Sequence, residues 1–503
     1  MPGQRKIIRG GRVLRHATAT LEETDVLIEG EHIAAIEPWG RLALEDAETI
    51  DARERLLIPG LLNAHTHGHG NLSKGAGDRW TLELLLNAGP WTARYSSAEE
   101  KYLSASIGAV EMLLKGCTAC YDLFVEFPEP SREGLEAVGR AYADAGMRAV
   151  VAPMMADRTF YAAIPGLMDA LPDELREAVR RIASASGERH LEVCAGVLKS
   201  WPLGRDRVRL ALAPTIPLHC ADEFMVGAQR LAGEHGAGYH THLGESKIQA
   251  VSAYDRYGTS LTRHLAHIGV LAPNFTAAHA VWLDSDDIKL IADHGGAVAH
   301  NPGSNMRIGS GIAPIRQMLQ TGVRVGIGTD AVTCSDNLNM FEAMRLASLV
   351  SNVRGPDYRQ WLSTPEVLRA ATEGSATLLG FAGALGRIEV GYFADIVCLD
   401  AEHINYTPLN NIVNQLVHTE DGAAVEKVLV GGRVVVDGGE ILTVDRRALK
   451  RRAEAAAERL RQSNAAQRKL AERLEPIVGT FCRGIASRSL SIHRYGAPPG
   501  NDA

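Results

Sequence analysis

The 503-residue sequence predicts an α/β fold: a (β/α)₈ TIM barrel, a small β-sandwich domain formed from both chain ends, and a C-terminal helical extension. Three observations lead there. Short apolar segments alternate with amphipathic helical stretches through the middle of the chain. The two ends share a different texture of short apolar runs cut by Gly and acidic residues. Several of the central apolar runs also end in His or Asp, where a barrel of this type carries its chemistry. The expected boundaries are 1–58 with 386–444 for the β domain, 59–385 for the barrel and 445–503 for the extension.

The N-terminal runs IIRGGRVL, TDVLIEGEHIAAIE and AETIDARERLLIPG read as antiparallel strands joined by tight turns. The same pattern returns in GRIEVGYFADIVCLD and VEKVLVGGRVVVDGGEIL, so one β domain built from both ends leaves the middle uninterrupted. That middle offers eight strands: GLLNAHTH, TACYDLF, RAVVAPM, VRLALAP, GYHTHLG, FTAAHA, GAVAHN and VRVGIGTD. Helical patterns such as AEEKYLSASIGAVEMLLKG and ADEFMVGAQRLAGEHG lie between them. A doubly wound open sheet is the alternative, and in either fold the strand C-termini form the reactive face. From Asp445 to about Leu474 the chain is rich in Ala, Arg, Glu and Leu and reads as a helix or helix pair packed outside the barrel.

Bulk properties exclude several classes. A formal net charge of -7 supplies no basic field for nucleic acid. No run approaches the roughly 18 apolar residues of a membrane span, and MPGQRKIIRGGRVLRH lacks the apolar centre of a signal peptide. Seven scattered cysteines do not form a disulfide framework, so the expected compartment is the cytoplasm. Self-association into a homo-oligomer is left open.

Four strand ends carry candidate ligands or acid–base groups. In Asn63-Ala64-His65-Thr66-His67 the histidines are two apart and share a strand face, a half-site for zinc. Tyr239-His240-Thr241-His242-Leu243-Gly244-Glu245 ends in a histidine with a carboxylate three residues on. Ala278-His279-Ala280 and Gly326-Ile327-Gly328-Thr329-Asp330 complete the set. Cys117 and Cys120 have C-x-x-C spacing but fall on opposite faces of a strand, so a core role is expected for both.

PGLLNAHTH, HLGES, AHA, HNPGSNMRIGSGIAPI and GIGTDA together resemble the amidohydrolase superfamily. More narrowly, they resemble the branch of cytosine, guanine and S-adenosylhomocysteine deaminases and triazine chlorohydrolases. The resemblance covers most of the chain. It implies His65, His67, His242 and Asp330 as metal ligands, Glu245 as the acid–base carboxylate and His279 as a contact to water or substrate. It implies one divalent metal per chain, zinc first and iron second. Binuclear relatives bridge two metals through a lysine on the fourth strand, and VRLALAP has none. In the implied chemistry Asp330 takes a proton from the activated water, Glu245 protonates a ring nitrogen, and His279 orients the nucleophile.

The expected function is therefore aminohydrolysis at an amidine-like carbon of a small nitrogen heterocycle, releasing ammonia or an amine. Amide hydrolysis and triazine-type dechlorination are the alternatives, and a scaffold without activity is disfavoured by the intact ligand set. Trp80, Asp157, Arg158 and Asn305 are the candidate substrate contacts. After the fourth strand, Thr215 and Pro217 stand where adenosine-type deaminases carry a histidine, and His219 follows a few positions on. That departure argues against adenosine-type substrates.

Overall fold

The computed structural model describes residues 5–15, 18–42, 46–94, 96–182 and 184–495. Residues 1–4 of the expected β domain and 496–503 of the extension lie outside the described residues.

Eight short parallel strands form the barrel: Leu61–Thr66, Cys117–Val125, Arg148–Met155, Val208–Leu210 with Ala213–Pro214, Tyr239–Leu243, Phe275–His279, Ala297–His300 and Arg324–Ile327. They fall into two hydrogen-bonded groups of consecutive strands. Parallel bridges Leu212–Tyr239 and Thr66–Asp330 join the groups and close the ring. Each of the eight apolar runs read from the sequence holds one strand, although the fourth breaks in two. Helices return between strands because their starts are well capped. In the helix Ala98–Leu114, for example, the Ser97 side chain accepts from the Glu100 amide, and the Glu100 carboxylate accepts from the Ser97 amide at 2.8 Å.

Small residues fill the barrel interior. Leu62, Ala64, Ala119, Ala152, Ala213 and Ala299 pack around the fully buried Tyr121. Close strand approach needs glycine at Gly328, where a Cβ would lie 2.4 Å from Asn301 Oδ1 and 2.8 Å from His65 Cβ. On the first strand, simple alternation fails at one point. Pairing with the second strand is irregular between Leu61 and Leu62 and again between Asn63 and Thr66, and the second irregularity shifts the phase after Ala64. His65 and His67 consequently face the same centre as Leu62 and Ala64.

Both chain ends meet in a nine-stranded sheet, with Arg55–Pro59 pairing antiparallel to Ile396–Asp400 at its middle. Arg148, at the start of the third barrel strand and 1% exposed, ties this sheet to the barrel. Its guanidinium donates to Asp395 at 3.1 Å and Glu31 at 3.2 Å and lies 3.9 Å from the centre of the Phe393 ring. The C-terminal helices, Arg446–Ser463 and Ala465–Ala486, pack on the outside of the barrel. Among the described residues no helix is long and apolar enough to cross a membrane.

Candidate metal centre and cavity

His65, His67, His242, His279, Glu245 and Asp330 come from four separate strand ends and converge at the C-terminal face of the barrel. All six are nearly or wholly buried. His67 Nε2 lies 3.1 Å from Asp330 Oδ1 and 3.3 Å from His242 Nε2, and His65 Nε2 lies 3.4 Å from the same Asp330 oxygen. Ligand bonds of about 2.0–2.1 Å in a tetrahedral zinc site put neighbouring donors about 3.3 Å apart. The spacings between these donor atoms match that edge.

The hydrogen bonds behind these atoms fix their tautomers. Nδ1–H of His67 donates to Leu123 O at 2.7 Å, and Nδ1–H of His242 donates to Thr215 O at 2.7 Å. Each Nε2 then carries a lone pair, and the two lone pairs face each other. Nitrogens so placed cannot bond to one another, whereas a cation between them satisfies both. His65 repeats the pattern: its Nδ1 pairs with His240 Nε2 at 3.2 Å, and its Nε2 is buried without a hydrogen-bond partner. These residues therefore fit a divalent metal.

The electrostatics agree for His65 and His242, whereas Asp330 beside His67 outweighs burial and holds that imidazole above its ordinary value. Burial pushes His65 down to about 3 and holds His242 well below its ordinary value, so both are neutral at pH 7. Burial opposes ionisation of Asp330, but His65 and His67 beside it hold the carboxyl well below the usual range. Glu245 goes the other way. Its burial, with Asp330 and Glu83 nearby, drives the carboxyl well above the usual range, and its Oε2 has no partner. The two carboxyl groups of the site are thus shifted in opposite directions.

His279 sits between them, with Nε2 3.7 Å from both Glu245 Oε1 and Asp330 Oδ2. Its Nδ1–H donates to Asn305 Oδ1 at 2.8 Å. His279 and Asp330 both adopt left-handed backbone, at φ 69° and 66°, a strained conformation for residues with a Cβ. Asp330 is further held by the Ala331 amide at 2.8 Å and the Cys334 thiol at 3.2 Å.

A cavity of about 210 Å³ opens beside His67, His242, Glu245 and Asp330. Leu82, Leu86, Phe127, Met154, Phe160 and Ile182 make much of its wall apolar. Of the four candidate substrate contacts, Arg158 lines it. The other three lie elsewhere. Asp157 accepts from the Ala221 amide at 3.0 Å, Asn305 stands behind His279, and the Trp80 ring meets Trp91 edge-on at 6.2 Å. Local sequence marked them as residues following strands, but the fold turns each toward a partner in the protein, Asn305 from the helix Pro302–Arg307.

Three histidines outside the implied ligand set also shape the site. His240 is a fully buried histidine on the His242 face, and it orients His65; the two-residue spacing carried that signal. His69 and His219 line the cavity. Cys117 and Cys120 are both buried and free, as a core role requires.

The amidohydrolase family profile matches residues 56–435. A 5'-deoxyadenosine deaminase from Methanothermobacter thermautotrophicus is 33% identical over 437 residues, covering 86% of this chain and 94% of that protein. An adenosine deaminase from Xanthomonas campestris, solved with bound zinc, superposes with a TM-score of 0.81 at 26% identity, covering 92% of this chain and 100% of that one. An atrazine chlorohydrolase from Arthrobacter aurescens, complexed with zinc, gives 0.80 at 27% identity, covering 90% and 99%. With its converging imidazoles and split carboxyl pair on the barrel's C-terminal face, this chain belongs to the amidohydrolase family.

Proposed function

We propose that the protein is a metal-dependent aminohydrolase that replaces the amino group of an adenosine-type nitrogen heterocycle with oxygen and releases ammonia. The observation that carries this reading is Glu245, a buried carboxyl within 3.7 Å of His279 and in the wall of the cavity, whose burial favours its protonated form. Attack on an aromatic amidine breaks conjugation, so the ring nitrogen needs a proton at or before attack, and Glu245 supplies it. The nucleoside deaminase relatives support the substrate class. Against them, the departure at Thr215–His219 is too local to exclude it, and His219 itself faces the cavity.

His65, His67, His242 and Asp330 would hold one divalent cation, with zinc favoured over iron by the nitrogen-rich donor set and the zinc-bound structural neighbours. Bound there, such a cation would lower the pKa of water from about 15.7 toward about 7 and so would supply hydroxide at neutral pH. Asp330 receives the water proton and passes it to the departing amine. His279, with Nδ1–H committed to Asn305, keeps Nε2 as an acceptor, which the Asn301 side-chain amide meets at 3.3 Å, and exchanges that bond for one from the nucleophile, so orienting it. Arg158 contacts the substrate, whereas Asn305 acts through His279.

In this reading, segments 1–58 and 386–444 form one β-sandwich around Ile8, Val26, Leu57 and Ile396, with the barrel over 59–385 and a helical extension from 445. Seven free, buried cysteines suit a reducing compartment such as the cytoplasm. Triazine dechlorination is the second reading, favoured by the apolar cavity wall and the likeness to the chlorohydrolase.

Zinc-loaded protein should be assayed for ammonia and chloride release across adenosine-type nucleosides, other purines, pterins, pyrimidines and chlorotriazines. Ammonia from adenosine-type compounds is the expected result. Chloride release alone, or activity confined to amides, would refute the reading.

A further inference from the structure

A second cavity, of about 280 Å³, lies outside the first. It contains none of the groups assigned to catalysis. Pro90, Tyr161 and Ile182 line both cavities and so form the partition between them. The outer one is walled on its far side by Ala466, Gln467, Leu470 and Ala471 of the C-terminal helix Ala465–Ala486. That helix follows the end of the family match at residue 435, so this wall belongs to the chain's own extension.

The partition is held by one joint. Asn87, 3% exposed on the helix Leu82–Ala93, accepts from the Tyr161 hydroxyl at 2.9 Å and donates to Ala471 O at 3.0 Å. One side chain therefore couples the C-terminal helix to the tyrosine ring between the cavities. Apolar packing backs it: Tyr161, Ile164 and Leu167 share a buried cluster with Leu474, Val478 and Cys482 of the C-terminal helix. A buried amide with both ends committed fixes a ring more firmly than packing alone, because movement leaves polar groups unpaired.

We propose that Tyr161 is a specificity-determining residue, positioned by Asn87, and that the outer cavity takes the distal substituent of the substrate against the C-terminal helix. The proposal rests on the aminohydrolase reading for what enters the inner cavity. A compact nucleoside occupies the inner space alone. A long chain on the sugar end must pass the tyrosine ring and lie against Leu470, in a space that Arg94 and Arg181 also line.

The test uses zinc-loaded full-length protein and two compounds, 5'-deoxyadenosine and an adenosine analogue bearing a 5'-butylthio chain. Tyr161→Ala opens the partition. It should raise the ratio of kcat/KM for the long compound to that for the short one at least tenfold, through KM. Leu470→Trp fills the outer cavity and should move the ratio at least tenfold the other way. Ratios unchanged in both variants, or equal losses on both compounds, overturn the proposal. Asn87→Leu frees the tyrosine, and amide hydrogen exchange in residues 160–171 should quicken at least tenfold while strands 239–243 and 275–279 keep their protection. If wild-type protein deaminates neither compound, the functional reading fails, and exchange still decides the joint: no acceleration at 160–171 overturns it.

Discussion

Glu245→Gln tests the acid at the centre of the proposed chemistry. The carboxyl is 2% exposed, its Oε2 has no partner, and Asp330 and Glu83 disfavour a further negative charge beside it. Glutamine keeps the shape, and Gln249 Oε1 still accepts from the backbone amide of residue 245 at 3.1 Å, so the local fold should survive. What disappears is the proton. General acid–base groups contribute about 10²–10⁴ in rate, or about 3–5 kcal/mol of barrier, and turnover should fall by that factor. Metal content, measured by elemental analysis, should stay at one per chain, because Glu245 is outside the donor set. The pH dependence gives an independent check. A group that must be protonated, with its pKa raised, leaves activity intact at low and neutral pH and removes it as pH climbs through the raised value. Wild-type protein should show that alkaline limb and Glu245→Gln should lack it. Turnover within threefold of wild type at unchanged metal content would refute the assignment, as would an alkaline limb that persists in the variant.

Three further outcomes follow from the geometry. His67→Ala should lose the metal outright, whereas His240→Ala, which removes only the partner of His65 Nδ1, should weaken affinity about 10–100-fold in chelator competition; identical losses would contradict the division of roles. Arg148→Met leaves Asp395 buried without its cation and should cost about 3–5 kcal/mol in urea unfolding, while a cost under about 1 kcal/mol would show that the pair does not tie sheet to barrel. Gly328→Ala presses a methyl against His65 and Asn301, so metal content and activity should drop together in a protein that remains folded by circular dichroism; full metal retention would mean that the strands adjust freely.

What the sequence determined by itself is largely local. Alternation places His65 beside His67 and His240 beside His242 on a strand face, and apolar runs with capped helices between them specify eight βα units. The motif set was specific enough to imply the donors and the acid. Which of these groups touch was decided by barrel closure. His67 and His242 are 175 residues apart and meet only because the Leu212–Tyr239 and Thr66–Asp330 bridges complete the ring. The irregular pairing after Asn63 sets the phase of the histidine pair, and no residue type near it announces the shift. Trp80, Asp157 and Asn305 show the same limit: the direction of a side chain that follows a strand depends on the partner it finds, here Trp91, the Ala221 amide and His279. The C-terminal helix was readable as a helix from its composition. Its position as the wall of a second cavity was not, because it depends on apolar contacts with segments about 300 residues away in the chain, whose strength comes from shape and burial rather than from any local pattern.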